Sequence, residues 1–135
     1  MQKIYLRKKI NPRVENGHPW VFANEVDLVK SGFNDTEKLN TVQPGAIVDV
    51  YTNDDKFIGR GYGNPQSQIF VRILTRDKKE TIDDRFFLNR IQQAWSYRQK
   101  IGYTENCRLI FGEADEIPAL IIDKFNDYFV LQTLA

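Results

Sequence analysis

The chain has 135 residues, a formal net charge of +1, and 41% apolar and 13% aromatic residues, enough for one ordinary domain or two small ones with modest cores. No apolar run approaches the roughly 18 residues that a membrane-spanning helix needs, so no membrane role is expected, and the basic first residues lack the apolar stretch of a secretory leader, which points to the cytoplasm. A single cysteine, Cys107, and a single histidine, His18, exclude an intrachain disulfide, a cysteine zinc cluster and a multi-histidine metal centre.

Along the chain, Lys-Ile-Tyr-Leu-Arg at 3–7 alternates apolar and basic residues and predicts a short edge strand with Ile4 and Leu6 on one face and Tyr5 and Arg7 on the other. Residues 11–26 carry Pro12, Gly17 and Pro19 among bulky side chains and predict irregular chain with at most a short helical turn; within them Trp20 and Phe22 are ambiguous, Trp20 between Pro19 and Val21 reading as a core plug ahead of a ring open to a ligand. From Lys30 to Gln43 the polar composition predicts a surface loop. Three closely spaced apolar segments, AIVDVYT, FIGRGYG and QIFVRILT, predict an antiparallel meander that closes into a small barrel or curved sheet, with the first domain, 1–75, ending near Thr75.

The second domain, 76–135, opens on a charged linker. The helix that follows has Thr81 with Asp84 as a capping box, Phe87, Ile91, Ala94, Trp95 and Ile101 as a core stripe, and Gly102 as its stop. Three further strands, CRLIFG, ALIIDKF and YFVLQTL, complete a small α+β unit.

Residues 1–76 hold eleven Lys/Arg against eight Asp/Glu, whereas residues 77–135 hold eight against ten. The basic excess falls in two stretches, Lys3 to Arg13 ahead of the first acid and Lys56 to Arg76 with no acid between. Converging on one face, they would bind phosphates; scattered, they are a solvated surface. Gly59, Gly61 and Gly63 do not make a nucleotide loop, because Pro65 and another strand follow where a helix is required. Their period-two spacing places them on one strand face, suited to a tight core or to a closely approaching ligand. Glu113, Asp115, Glu116 and Asp123 lack a partner His or Lys nearby and read as turn and strand-end residues rather than a metal or acid–base centre.

Three motifs in order, His-Pro-Trp-Val-Phe at 18–22, Gly-Arg-Gly-Tyr-Gly-Asn-Pro-Gln-Ser-Gln-Ile at 59–69 and Gly-Glu-Ala-Asp-Glu-Ile-Pro-Ala-Leu-Ile-Ile-Asp at 112–123, resemble the amino-terminal part of the S-adenosylmethionine-dependent large-subunit ribosomal RNA cytosine-5 methyltransferases. One departure is local: the family carries glycine where Glu116 and Ala119 stand. The resemblance implies an α+β fold, a small PUA-like β-barrel that binds RNA, followed by a small α+β connector with one main helix on an antiparallel sheet. It also implies a further methyltransferase domain, so no residue here inherits a catalytic role, Cys107 included. S-adenosylmethionine is then the cofactor of the longer protein, with none expected in this chain, and ribosomal RNA is the partner.

On that reading Arg7, Lys8, Lys9, Arg13, Arg60 and Arg72 are the candidates for phosphate contact, with Arg72 alternatively a structural ion-pair partner. Tyr62 and Asn64 are the candidates for base stacking and hydrogen bonding, and His18 for either RNA contact or capping of its own chain. Lys78 and Lys79 are expected to be linker charges of little consequence. The second domain is expected to orient the methyltransferase domain, with apolar surface left exposed at Phe129, Leu131 and Leu134. Alternatives are a stand-alone PUA-type RNA-binding module and a protein-interaction domain. Salt-dependent RNA binding separates the last from the others, and the downstream gene sequence separates the first two.

Overall fold

A computed structural model describes residues 1–8, 13–32 and 35–133; Lys9, Pro12 and Leu134, singled out above, lie outside them. The chain divides into two compact units, Met1–Glu80 and Thr81–Ala135.

The first unit contains seven strands: β1 (Lys3–Leu6), β2 (Trp20–Phe22), β3 (Val26–Ser31), β4 (Asp35–Glu37), β5 (Ile47–Tyr51), β6 (Phe57–Gly63) and β7 (Ile69–Thr75). They form one sheet in the order β2-β7-β6-β5-β1-β3-β4. The expected meander is β5-β6-β7, antiparallel throughout. Only three residues, Ala23–Glu25, join β2 to β3. Four residue steps span at most about 14 Å, whereas five strand spacings laid flat would separate those strands by about 24 Å. The sheet therefore curls, and residues from both of its ends, Val21 of β2 and Val29 of β3, meet Ile4, Val48, Val50, Phe70 and Val71 in a single core. This is the small barrel expected.

Three local expectations do not hold. Residues 20–22, within the stretch expected to be irregular, form strand β2 paired antiparallel with β7. β1 is not an edge strand; it runs parallel to β5 and antiparallel to β3. Tyr5, expected on a solvent face, is buried and stacks on Tyr51 with ring centres 5.5 Å apart, so the outer face of this strand is covered too. The stretch 30–43 is not simply loop: it contains the end of β3, β4 and a 3-10 turn at Leu39–Thr41. Its polar residues are compatible with a strand because β4 pairs on one side only and its Glu37 accepts from neighbouring side chains, from Ser31, from Gln2 at 2.8 Å and from Thr41 at 2.9 Å. Those hydrogen bonds, Ser31's foremost, hold the Glu37 carboxyl below its ordinary pKa.

In the second unit α1 (Asp84–Lys100) lies with β8 (Asn106–Phe111), β9 (Leu120–Phe125) and β10 (Tyr128–Thr133), the strands antiparallel in the order β10-β9-β8. The helix is capped by Asp83, whose carboxylate accepts from the Phe86 amide at 2.9 Å, rather than by the expected Thr81–Asp84 box. Asp83 wins because its extended backbone, φ −138° and ψ −173°, places the carboxylate over the amide three residues on. Phe87, Ile91, Ala94 and Trp95 pack on Leu109, Ile110, Ile117 and Ile122 as the stripe predicts, and Gly102 ends the helix with φ +92°. Ile101 is past the last helical residue and is half exposed, not core. On β10, Tyr128, Phe129, Val130 and Leu131 are all more than half exposed, from 52 to 78%, so neither face of this strand is covered.

Glu116 and Ala119 have φ of +61° and +66°, the left-handed region that costs an L-residue roughly 1–2 kcal/mol. The glycines that the resembling family carries there answer a backbone requirement that this chain meets under strain. Glu116 is exposed, so Glu116→Gly loses no packing and is expected to raise stability by about 0.5–1 kcal/mol, with Glu116→Val lowering it; denaturant unfolding of the three proteins checks the order.

Candidate nucleic-acid interface

The alternation that sends Ile4, Val48, Val50, Val71 and Ile73 into the barrel core turns their neighbours outward, and strand register arranges those neighbours in rows. In the first row Trp20 lies opposite Arg72, Arg72 opposite Tyr62, and Tyr62 opposite Ile47. The structure thus brings two sequence-predicted residues, Arg72 and Tyr62, side by side. Trp20 is half-buried and Val21, not Trp20, fills the core, a consequence of strand phase that the flanking prolines conceal.

His18 extends this row. Its ring stands edge-on to Trp20 at 5.7 Å, and its Nδ1 accepts from the Trp20 amide at 3.1 Å. With Nδ1 accepting, neutral His18 carries its proton on Nε2, so the residue caps its own chain and still presents a donor.

Other candidates are engaged within the barrel. Arg60 donates from Nε to Asp49 Oδ1 at 2.6 Å, from Nη2 to Asp49 Oδ2 at 3.3 Å and from Nη1 to the Glu80 carbonyl at 2.6 Å. The Asp49 hydrogen bond outweighs burial and raises its pKa further. Arg60 is thus a strand arginine with a bidentate carboxylate partner, and its guanidinium is held where a phosphate would have to displace Asp49. Arg13 pairs with the buried Glu25, donates to the Trp20 carbonyl at 3.2 Å and lies 5.0 Å from the Phe22 ring centre. Glu25 also accepts from the Phe22 amide at 3.1 Å, so this pair fixes the connection that closes the barrel. Asn64 accepts from the Gln66 amide at 2.9 Å and shapes the turn between β6 and β7.

Arg7 and Lys8 are exposed and make no ion pair among the described residues. Arg76, part of the second basic stretch, ties the segment before β2 to the barrel through the carbonyls of Val14 at 2.7 Å and His18 at 2.9 Å, and its partial burial pushes its pKa down. Sequence reasoning counted Lys3 in the first basic stretch and Lys78 as a linker charge, and did not join them with Lys30. Lys3, Lys30 and Lys78 lie over the rings of Tyr5, Tyr51 and Phe57 at 4.8 to 5.7 Å. The alternation of Lys3 with Tyr5 was the only local signal; the other partners are distant in sequence.

In the second unit Asp115 and Asp123 serve the fold. Asp115 receives both Arg98 guanidinium donors at 2.6 and 2.8 Å and the Phe111 amide at 2.7 Å, and Asp123 is paired with Arg108 at 2.8 Å.

Residues 4–76 match the family profile described as a PUA-like domain. The chain is 34% identical over 135 residues to a ribosomal RNA large subunit methyltransferase I of Aliivibrio fischeri, covering 98% of this chain and 32% of that protein. To the protein of the same name from Shewanella denitrificans it is 40% identical over 137 residues, covering 96% and 32%. Among solved structures, a Streptococcus mutans protein described as a SAM-dependent methyltransferase superposes with a TM-score of 0.72 at 16% identity, over 97% of this chain and 32% of that one; at that identity the likeness speaks for the fold. The chain spans about a third of the length of the curated relatives it matches.

Proposed function

This chain belongs to the PUA-like domain family, and from that membership we propose that it is the RNA-holding amino-terminal part of an S-adenosylmethionine-dependent ribosomal RNA methyltransferase, acting on cytosine C5 in the cytoplasm. The observation that carries the reading is similarity over nearly the whole chain, at 34 to 40% identity, to proteins named for ribosomal RNA methylation. Exposed Arg7 and Lys8 and the half-buried row of His18, Trp20 and Tyr62 give this role a physical basis, whereas Arg72, between Trp20 and Tyr62 in register, is only 9% exposed. Arg7 and Lys8 supply phosphate contacts, with Lys9 continuing their run in sequence, and the aromatic row supplies a stacking edge with the His18 donor beside it. Arg13, Arg60 and Asn64 act by holding the barrel and its turn in shape.

Within the longer protein, S-adenosylmethionine would supply the methyl group. The glycine-rich strand of this chain does not fit that cofactor: Gly59, Gly61 and Gly63 face Ile73, the Arg72 backbone and Val42 rather than an open cradle. No step of the transfer is therefore assigned to these residues, whose task is to bind and orient RNA. The domain division proposed is an RNA-binding barrel followed by a connector that orients the catalytic part, and the uncovered strand β10 suits that connecting role.

Fluorescence titration of a ribosomal RNA fragment at two salt concentrations tests the reading. Binding is expected to weaken steeply as salt rises, and the double variant R7Q/K8Q is expected to lower the slope of log affinity against log salt by about 1–2. Absence of binding, or binding indifferent to salt, would remove the RNA role.

A further inference from the structure

We propose that Lys3, Lys30 and Lys78 form a second RNA contact, a face that grips consecutive phosphates of a single strand without reading its bases; it rests on the RNA-holding role of the first unit and specifies a surface for it. Lys3 and Lys30 are directly opposite on β1 and β3, a like-charge pairing that destabilises a sheet. Each ammonium is instead held over an aromatic ring: Lys30 at 4.8 Å from the Tyr5 centre, Lys3 at 5.5 Å and Lys78 at 5.4 Å from Tyr51, with Lys78 also 5.7 Å from Phe57. The electron-rich ring faces offset part of the repulsion.

The platform beneath is aromatic. Tyr5 stacks on Tyr51, Tyr51 meets Phe57 edge-on at 5.7 Å, and the Tyr5 hydroxyl donates to Asp55 at 2.8 Å. Burial first, then Asp55, pushes the Tyr5 phenol up to about 12, so it stays neutral. Of the neighbouring carboxylates, Asp49 is paired with Arg60, while Asp55 accepts from the Tyr5 hydroxyl and Asp77 from the Lys79 amide, neither of them bridged to one of the three lysines. None of the three lysines has an ion pair among the described residues.

Covering apolar rings alone would not call for three like charges; uncharged side chains of similar length cover them without repulsion. Three unpaired ammoniums on one patch fit a polyanion, and because Tyr5 and Tyr51 are only 9% and 5% exposed, bases cannot stack there. Charge, not base identity, is what this face recognises. Lys78, which reads in sequence as a linker charge, is thereby part of it.

The test uses the 135-residue chain and a fluorescent oligouridylate of about 12 nucleotides, with the variants K3Q/K30Q/K78Q, K3R/K30R/K78R and R7Q/K8Q. The glutamine triple is expected to lose about tenfold or more in affinity at low salt and to lower the salt slope by about 2, with its melting temperature unchanged or higher; the arginine triple is expected to bind like the parent. Unchanged binding by the glutamine triple, while R7Q/K8Q binds weakly, overturns this face and leaves the RNA role standing. Failure of the parent chain to bind any RNA overturns both. A melting temperature that falls together with affinity would assign the lysines to covering the rings, and displacement of the RNA by polyglutamate at equal charge concentration would assign the face to acidic proteins; either result overturns the proposal.

Discussion

Gly61→Ala is expected to prevent the barrel from folding. A Cβ at this position would lie 1.9 Å from the Arg72 carbonyl oxygen, 2.7 Å from its carbonyl carbon and 2.8 Å from the Ile73 Cα. All three are backbone atoms of the adjacent strand, so no rotamer change relieves the overlap. β6 would have to part from β7, and the register shift between Arg60 and Gly61 shows that the ladder is already adjusted to this close approach. The cost is placed at about 4 kcal/mol or more, the range of severe core disruption. Gly59→Ala is expected to cost less, since one of its two near contacts, Ile73 Cγ2 at 2.7 Å, is a side chain, and Gly63→Ala least, where Val42 Cγ1 at 3.0 Å is the nearest atom. Thermal unfolding followed by circular dichroism gives the ranking. A Gly61→Ala protein melting within a few degrees of the parent would contradict the close packing of these strands.

The second large effect is expected at the Arg60–Asp49 pair. Their side chains are only 12% and 10% exposed and joined by two hydrogen bonds. Asp49→Ala leaves a guanidinium in a poorly hydrated place with the Glu80 carbonyl as its remaining acceptor in this set, which is expected to cost about 3–5 kcal/mol. Replacing both partners, as in D49L/R60M, removes the charge together with its counter-charge and is expected to restore most of that loss, since apolar substitutes for a buried pair are often neutral. Denaturant unfolding of the single and double variants measures the difference. The same double variant bears on RNA: if Arg60 is structural, its affinity for RNA stays near that of the parent, whereas a phosphate-contacting Arg60 would show a lowered salt slope.

These two sites mark where local pattern stops being informative. The spacing of Gly59, Gly61 and Gly63 was legible, yet it allowed a tight core or an approaching ligand equally; the position of the Arg72 carbonyl decides for the core. Arg60 and Arg72 look alike in sequence, each on an apolar strand, and only register puts Asp49 beside the first and Trp20 and Tyr62 beside the second. Likewise Arg13 is one of a basic run, and its pairing with Glu25 depends on a chain reversal that Pro12 and Gly17 obscure.

By itself the sequence determined the barrel meander, the helix and its stripe, the last three strands and the basic bias of the first half, because each depends on period-two or period-3.6 patterning within a few residues. The three motifs also carried the family, and the odd Glu116 and Ala119 marked a turn that proved to be left-handed. The tertiary structure alone decided that β1 is internal, that β2 and β3 close the barrel, and which cations pair with carboxylates and which lie over aromatic rings. Those outcomes depend on contacts between residues tens of positions apart, such as Lys78 over Tyr51, and no local pattern encodes the partner that a folded chain brings to a charge.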